Sequence, residues 1–340
     1  MSVADPVWTR LDARYPWLRW MRRWGISVCS LVLGFATLFV FRRGLPHVGW
    51  IVGYLLLVWF LFVVLAETQA ALERQGRRFV VDAGEYAILT LCHGLLLFVL
   101  PAYYASATLT STNVVVLILI AAAALVTAID PAYQRFIHPW AWRRHLLLGF
   151  SVFVALNVAL PLVGVRPILA LEGSAAMAVL ALTPAFRRGG AVGWGRALVG
   201  AVLLAGLAVV AVWYGRALVP PAPLFLTERV AARAVTDLSP VDVIERSIPA
   251  ALVEGWGGLA AYTAVHAPGG LRQPILHVWS RNGVTFARIP LSPVRGGRVE
   301  GFRTFSVTRR LVPPLDGRYT VDVMTASGQL IGRLRFRVTP

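Results

Sequence analysis

The sequence is short of charge and of cysteine, and it has no lysine. Charged residues make up 14% of the chain and hydrophobic ones 57%. Soluble domains are roughly half apolar, so an ordinary soluble chain is excluded over most of the length. There are two cysteines, Cys29 and Cys92, both inside apolar runs. No disulfide can staple the C-terminal part, and no cysteine pair has the spacing of a metal or redox site. Catalytic signatures are also missing: no P-loop, G-x-S-x-G elbow, H-E-x-x-H pair or dinucleotide fingerprint occurs. His266 and His277 share the C-terminal part with Asp242, Glu245, Glu254 and Glu300, at spacings that match no metal template. Ser306 lies near Arg303 in a strand-like run, with no base beside it. These absences lean against an enzyme, and no metal or cofactor is expected.

What is present is arginine and long apolar runs. All 33 basic residues are arginine, and the formal net charge is +17. Residues 1–214 hold 17 Arg against 8 acids, and residues 215–340 hold 16 against 8. Such an excess suits nucleic acid. In the first part, however, the arginines cluster beside apolar runs, where they set membrane topology and meet anionic lipid. A lipid bilayer is the expected partner, and nucleic acid is not. Residues 1–23 carry Trp8, Trp17 and Trp20 among five arginines, with no cleavage site after the apolar run that follows. They read as a cytoplasmic or interfacial segment rather than a signal peptide.

A spanning helix needs about 20 mostly apolar residues. Seven stretches between 24 and 214 qualify: Trp24–Phe41, Val48–Ala66, Ala87–Ala107, Asn113–Ile129, Leu146–Val165, Pro167–Phe186 and Ala197–Tyr214. Arginines beside these spans alternate sharply. The N-terminal segment and every second loop after it carry fourteen, while the opposite set carries three: Arg42, Arg43 and Arg166. Arg-rich short loops stay cytoplasmic. The N-terminus is therefore expected inside and the C-terminal part outside, which in a bacterium means an inner-membrane protein with a periplasmic tail. If the sixth stretch were only re-entrant, the parity would flip.

Polar groups within the spans are few. Glu172 reads either as a proton or ion relay or as a helix-end carboxylate paired with Arg166. His93 and Asn157 read as single polar groups bonded across helices. Glu67 and Asp130 sit at span ends, where water would solvate them. No inverted repeat or pair of broken helices is visible, although a transporter often has both. Ala201 and Ala205, beside Gly200 and Gly206, suit close helix packing or homo-oligomer formation through the last span.

After "LVPPAPLF", whose prolines suggest a stiff linker over residues 215–223, the pattern changes to alternation of period two. "LHVWSRNGVTFARIPL" reads as a hairpin around Asn282-Gly283. "RYTVDVMTASGQLIGRLRFRV" reads as a second hairpin around Ser327-Gly328. In its last strand Leu334, Phe336 and Val338 alternate with Arg333, Arg335 and Arg337, as on a half-buried strand. Roughly seven short strands with Gly/Pro turns predict an immunoglobulin-like β-sandwich over residues 224–340. "SPVDVIERSIPAAL" is open between loop and short helix.

A two-residue turn at Asn282-Gly283 sets Trp279 opposite Phe286 and His277 opposite Arg288. Leu276, Val278, Ala287 and Ile289 would then face the core. His277, Trp279, Phe286 and Arg288 would form an outer recognition surface, with Arg303 as a further candidate for an acidic group. The alternative is a sheet covered on both sides, with Trp279 in the core.

The motif running from His277-x-Trp279 and Gly283, through Gly301-Phe302-Arg303-Thr304 and Ser306, to Gly317-Arg318-Tyr319, Gly328-Gln329 and Phe336 carries a resemblance. It is similar to the C-terminal region of uncharacterised bacterial membrane proteins grouped as domains of unknown function 5924, for the multi-span region, and 2914, for the tail module. The resemblance implies no activity. Where that pattern usually has Trp after Gly-Arg, this chain has Tyr319, and either ring suits a sandwich core. The expectation is a membrane-anchored binding or scaffold module whose ligand is an envelope protein, a glycan or a lipid. The alternative is a small transporter or channel-like protein with an accessory sandwich, if Glu172, His93 and Asn157 face one another.

Overall fold

The computed structural model describes residues 48–187 and 190–340. The N-terminal segment and the first expected span, Trp24–Phe41, lie outside the described residues. The helices are α1 (Val48–Arg74), α2 (Arg78–Ser106), α3 (Val114–Ala128), α4 (Asp130–Phe136), α5 (Ala141–Leu162), α6 (Pro167–Leu180), α7 (Thr183–Phe186) and α8 (Trp194–Tyr214).

Four stretches are long and apolar enough to cross a membrane: Ile51–Arg74, Phe79–Ser106, Ala141–Leu162 and Trp194–Tyr214. A fifth exists if α3 and α4, bent by 106° at their junction, count as one broken span. The described residues thus hold four or five such spans where six were expected. Two prolines explain the difference. Pro131 starts α4 after Ile129 turns extended, since proline suits the first helical turn but not an interior. Thr183-Pro184 likewise opens the short α7 and leaves α6 with 14 residues. At 1.5 Å per residue α6 is only about 21 Å long, against an apolar bilayer core of about 30 Å. Elsewhere the helices expose large apolar side chains, including Leu56, Phe60, Leu203 and Leu207, as lipid-facing surfaces do.

The chain divides into two compact units. Of the described residues, the first includes 48–100, 119–155, 177–187 and 190–205. Within it, Glu67 pairs with Arg187 and Glu85 with Arg144. Glu67 is exposed to water as expected and also ion-paired, whereas Asp130 is buried rather than solvated. Ala197, Ala201 and Ala205 form a buried stripe on α8, so the small residues expected to serve oligomer formation pack within the chain. Gly200 and Gly206 face open space.

The second unit comprises residues 101–118, 156–176 and 206–340. Its β part contains β1 (Phe225–Thr236), β2 (Ser239–Ile244), β3 (Ser247–Pro249), helix α9 (Ala250–Trp256), β4 (Leu259–His266), β5 (Arg272–Gln273), β6 (Ile275–Arg281), β7 (Val284–Pro290), β8 (Val294–Arg295), β9 (Phe302–Thr308), β10 (Gly317–Thr325) and β11 (Leu330–Thr339). The stretch left open above therefore becomes two short strands and a helix. One sheet runs β2-β1-β4-β9, a second runs β3-β11-β10-β6-β7, and β5-β8 form a small ribbon. Both large sheets feed one core, with Ala231, Leu259 and Ala261 from the first and Trp279, Val321 and Phe336 from the second. The proline-rich stretch is not a free spacer, because Val219 to Leu224 are buried and Leu224 joins a second core cluster.

The β6 face of the hairpin is the reverse of that set by a regular two-residue turn, while Ala287 and Ile289 face the core and Arg288 faces out as expected. The turn itself forms as expected, with Asn282 at φ 52° and Gly283 at φ 86°, the left-handed geometry that Asn-Gly favours. Arg281 pairs with Val284 and Ser280 with Thr285, but a bulge then follows and Trp279 pairs with Ala287. One extra residue on β7 shifts the register. Phe286, Ala287 and Ile289 consequently all pack toward the core that holds Trp279. Large-ring burial overrides the Leu276/Val278 alternation.

Candidate functional site

His277 and Trp279 are fully buried, so neither belongs to an outer recognition surface. They centre a buried polar network between the sheets. Ser306 Oγ lies 2.8 Å from His277 Nδ1 and accepts a 2.9 Å hydrogen bond from Trp279 Nε1. Thr263 Oγ1 lies 3.1 Å from His277 Nε2. β6, β9 and β4 supply these groups because alternation puts residues 277 and 279, 304 and 306, and 261 and 263 on inward faces. Burial pushes the His277 imidazole down to about 4. A neutral imidazole with both nitrogens partnered and no route to solvent ties strands together. Although the His–Ser pair resembles a nucleophile and its base, it has no access to substrate. Thr263 was not foreseen as a partner, since nothing local marks a threonine 14 positions from His277.

The remaining surface candidates separate. Phe286 is half-buried against Trp279 and Tyr319, with ring centroids 6.4 and 6.1 Å away. Arg303 points outward from the four-stranded sheet and pairs with exposed Glu300 at 3.3 Å. Arg288 is exposed on the five-stranded sheet and lines a broad open groove of about 1170 Å³.

That groove is the outer face of β11, β10, β6 and β7, and the strand register lays it out in rows. Arg337 lies opposite Arg318. Arg335, Thr320, Ser280 and Thr285 make the next row. Arg333, Asp322, Val278 and Arg288 make the third, and Met324, Leu276 and Pro290 the fourth. Arg246 adds a sixth guanidinium. Arg333 is held by Asp322 through two hydrogen bonds, of 2.5 and 2.8 Å. No other groove arginine forms an ion pair among the described residues. The alternating Arg333, Arg335 and Arg337 signalled one polar face in the sequence. The partners from β10 and β7 required the fold.

The groove also borders the helical part of its own unit. Arg333 Nη1 and Arg335 Nη2 reach the Thr110 carbonyl in the α2–α3 turn, at 3.2 and 3.5 Å. Asn113 donates to the Leu330 carbonyl at 3.2 Å. This turn covers the stretch of β11 that has no strand neighbour beyond β3, a standard way to protect a sheet edge. At the β10–β11 turn, Arg216 donates to the Ser327 carbonyl at 2.7 Å while lying 4.8 Å over the Trp213 ring at the end of α8.

In the first unit His93 Nδ1 bonds Thr127 Oγ1 at 2.9 Å. In the second, Asn157 donates to the Tyr103 hydroxyl at 2.9 Å. Glu172 is half-buried on α6 and makes no ion pair with Arg166, which is exposed. His93 and Asn157 are thus each bonded to a neighbour within their own unit. Among the described residues no cluster of His, Cys, Asp or Glu could hold a metal ion.

The model of a family of unknown function, DUF5924, matches residues 1–254, and that of a protein of unknown function, DUF2914, matches residues 272–338. No curated protein and no solved structure matches the chain. The first match covers well over half the sequence, and the chain belongs to the DUF5924 family.

Proposed function

We propose that this DUF5924 protein is an integral protein of the bacterial inner membrane that presents its β domain in the periplasm as a binding module, with an immunoglobulin-like organisation. The observation that carries the reading is the company the β domain keeps. It shares its compact unit with residues 101–118 and 156–176, where Arg166 is the one arginine. The Arg-rich turns around Arg77, Arg143 and Arg187 all fall in the other unit. Arginine-rich turns are retained on the cytoplasmic side, which supports a β domain on the opposite side, and this reading requires α6 and α7 together to cross despite the 14-residue length of α6. Binding rather than catalysis is supported by the open cationic groove and by the sealed state of the His277–Ser306 pair. The Tyr319 hydroxyl, which donates to the Leu315 carbonyl at 2.9 Å, resembles the tyrosine corner of immunoglobulin-like domains.

The test is thiol labelling in a chain freed of native cysteines. Val299→Cys, at a position 89% exposed, should react with a membrane-impermeant maleimide in intact spheroplasts. Gln75→Cys, on the α1–α2 turn, should react only after permeabilisation. The reverse pattern would overturn the orientation.

A further inference from the structure

We propose that the arginine groove holds the phosphate-bearing headgroup of an anionic membrane lipid, with the lipid's apolar part toward Leu276 and Met324. The inference rests on reading the groove as a binding surface, and is independent of which side of the membrane it faces. Three observations single out this occupant. First, five of six groove guanidinium groups lack an ion-pair partner among the described residues, and the groove's one carboxylate, Asp322, is occupied by Arg333. Guanidinium forks match phosphate oxygens in pairs, and unpaired ones concentrated on one face call for an anion.

Second, the groove is graded along its length. Arg337 and Arg318 form one end row, and Met324, Leu276 and Pro290 form the other. The six-residue offset between Arg318 and Met324 spans about 20 Å. A small soluble anion would need only the arginines, whereas an amphiphile uses both ends. Third, the apolar end lies beside the β10–β11 turn, which Arg216 ties to the end of α8. Exposed Trp213 and Tyr214 there are the side chains that favour the membrane–water boundary. The apolar row therefore lies toward the bilayer and the arginine rows away from it, the order in which a lipid presents its own chemistry. Arg333 and Arg335 also contact the Thr110 carbonyl of the α2–α3 turn, which sets the middle rows beside the helical part of the same unit. An acidic peptide would satisfy the arginines alone and leaves the gradient without a purpose.

The experiment uses the full chain in nanodiscs of phosphatidylcholine with a minority of phosphatidylglycerol. A photoreactive benzoylphenylalanine replaces Thr320 on the groove floor or, as control, Val307 on the outer face of the other sheet. After irradiation the adducts are weighed. The expected result is a phosphatidylglycerol adduct at Thr320, enriched on the order of tenfold over its share of the bilayer and over the control. The combined Arg318→Gln, Arg335→Gln and Arg337→Gln variant should lose that enrichment. These side chains are exposed, Arg335 losing only its 3.5 Å reach to the Thr110 carbonyl, and unchanged hydrogen exchange of the core would verify folding. Asp322→Asn, which frees Arg333, should raise it. Excess soluble glycerol phosphate should leave it in place. Equal labelling of both lipids, indifference to the arginine changes, displacement by glycerol phosphate, or adducts at the control site alone would each overturn the proposal. Because nanodiscs have no inside or outside, such a failure would leave the orientation to be decided by the thiol labelling.

Discussion

Acid should loosen the β domain through a single buried side chain, His277. Its imidazole is held neutral down to about pH 4 by burial, whereas in an unfolded chain it titrates near 6.5. Between those values the unfolded state binds the extra proton, so stability present at neutral pH is lost as pH falls through that window. Lowering the pH from 7 to 5 should cost on the order of 2 kcal/mol from this group alone. The charge has no carboxylate to meet it, since the neighbours of the ring are Thr263 and Ser306. The assay is hydrogen exchange of the β6 and β9 amides in the full chain, corrected for intrinsic rates at each pH. His277→Gln keeps a donor and an acceptor but cannot titrate. It should start less stable at pH 7, by about 1–3 kcal/mol, yet lose less on acidification. Equal acid sensitivity of the two proteins would refute the reasoning, since other groups common to both would then account for it.

Other expectations follow from the same geometry. Ser306→Ala strips the partner from Trp279 Nε1 and from one His277 nitrogen. It should cost about 2–3 kcal/mol by the same exchange measurement. Gly296→Ala would place a Cβ 1.7 Å from the Pro268 carbonyl oxygen, a backbone clash that no rotamer relieves. Loss of on the order of 3 kcal/mol or more is expected, seen as failure to accumulate or as lost protection around β5 and β8. Tyr319→Phe removes only the hydroxyl bond to Leu315 and should cost about 1 kcal/mol, measured by protection of the β10 amides.

Much of this architecture is written in local pattern. The Asn282-Gly283 turn and the alternation of Leu334, Phe336 and Val338 with three arginines appear in the structure as the residues dictate. Apolar runs likewise lie within α1, α2, α5 and α8, although α1 runs on to Arg74 and α2 begins at Arg78, through polar residues at both places. Two kinds of feature were hidden. A bulge is invisible to a period-two reading, because a turn sets register only as far as the first irregularity. The single extra residue on β7 reversed the expected faces of His277 and Trp279. What decides the matter is Ser306, 27 positions from Trp279, and no window of local sequence contains both. Prolines 131 and 184 were visible, yet whether a proline kinks a helix or starts a new one depends on the backbone before it. Here both start new helices, which is why the fourth and sixth expected spans come out bent or short. The groove shows the same limit, for β11 reveals three arginines while Arg318 and Arg288 join them only through strand pairing.

The central claim is that the β domain faces away from the cytoplasm. A reporter active only in the periplasm and another active only in the cytoplasm, each fused after Pro340, test it most directly. The account predicts signal from the periplasmic reporter alone. Signal from the cytoplasmic reporter alone would contradict it, placing the arginine-rich turns outside and the groove within the cell.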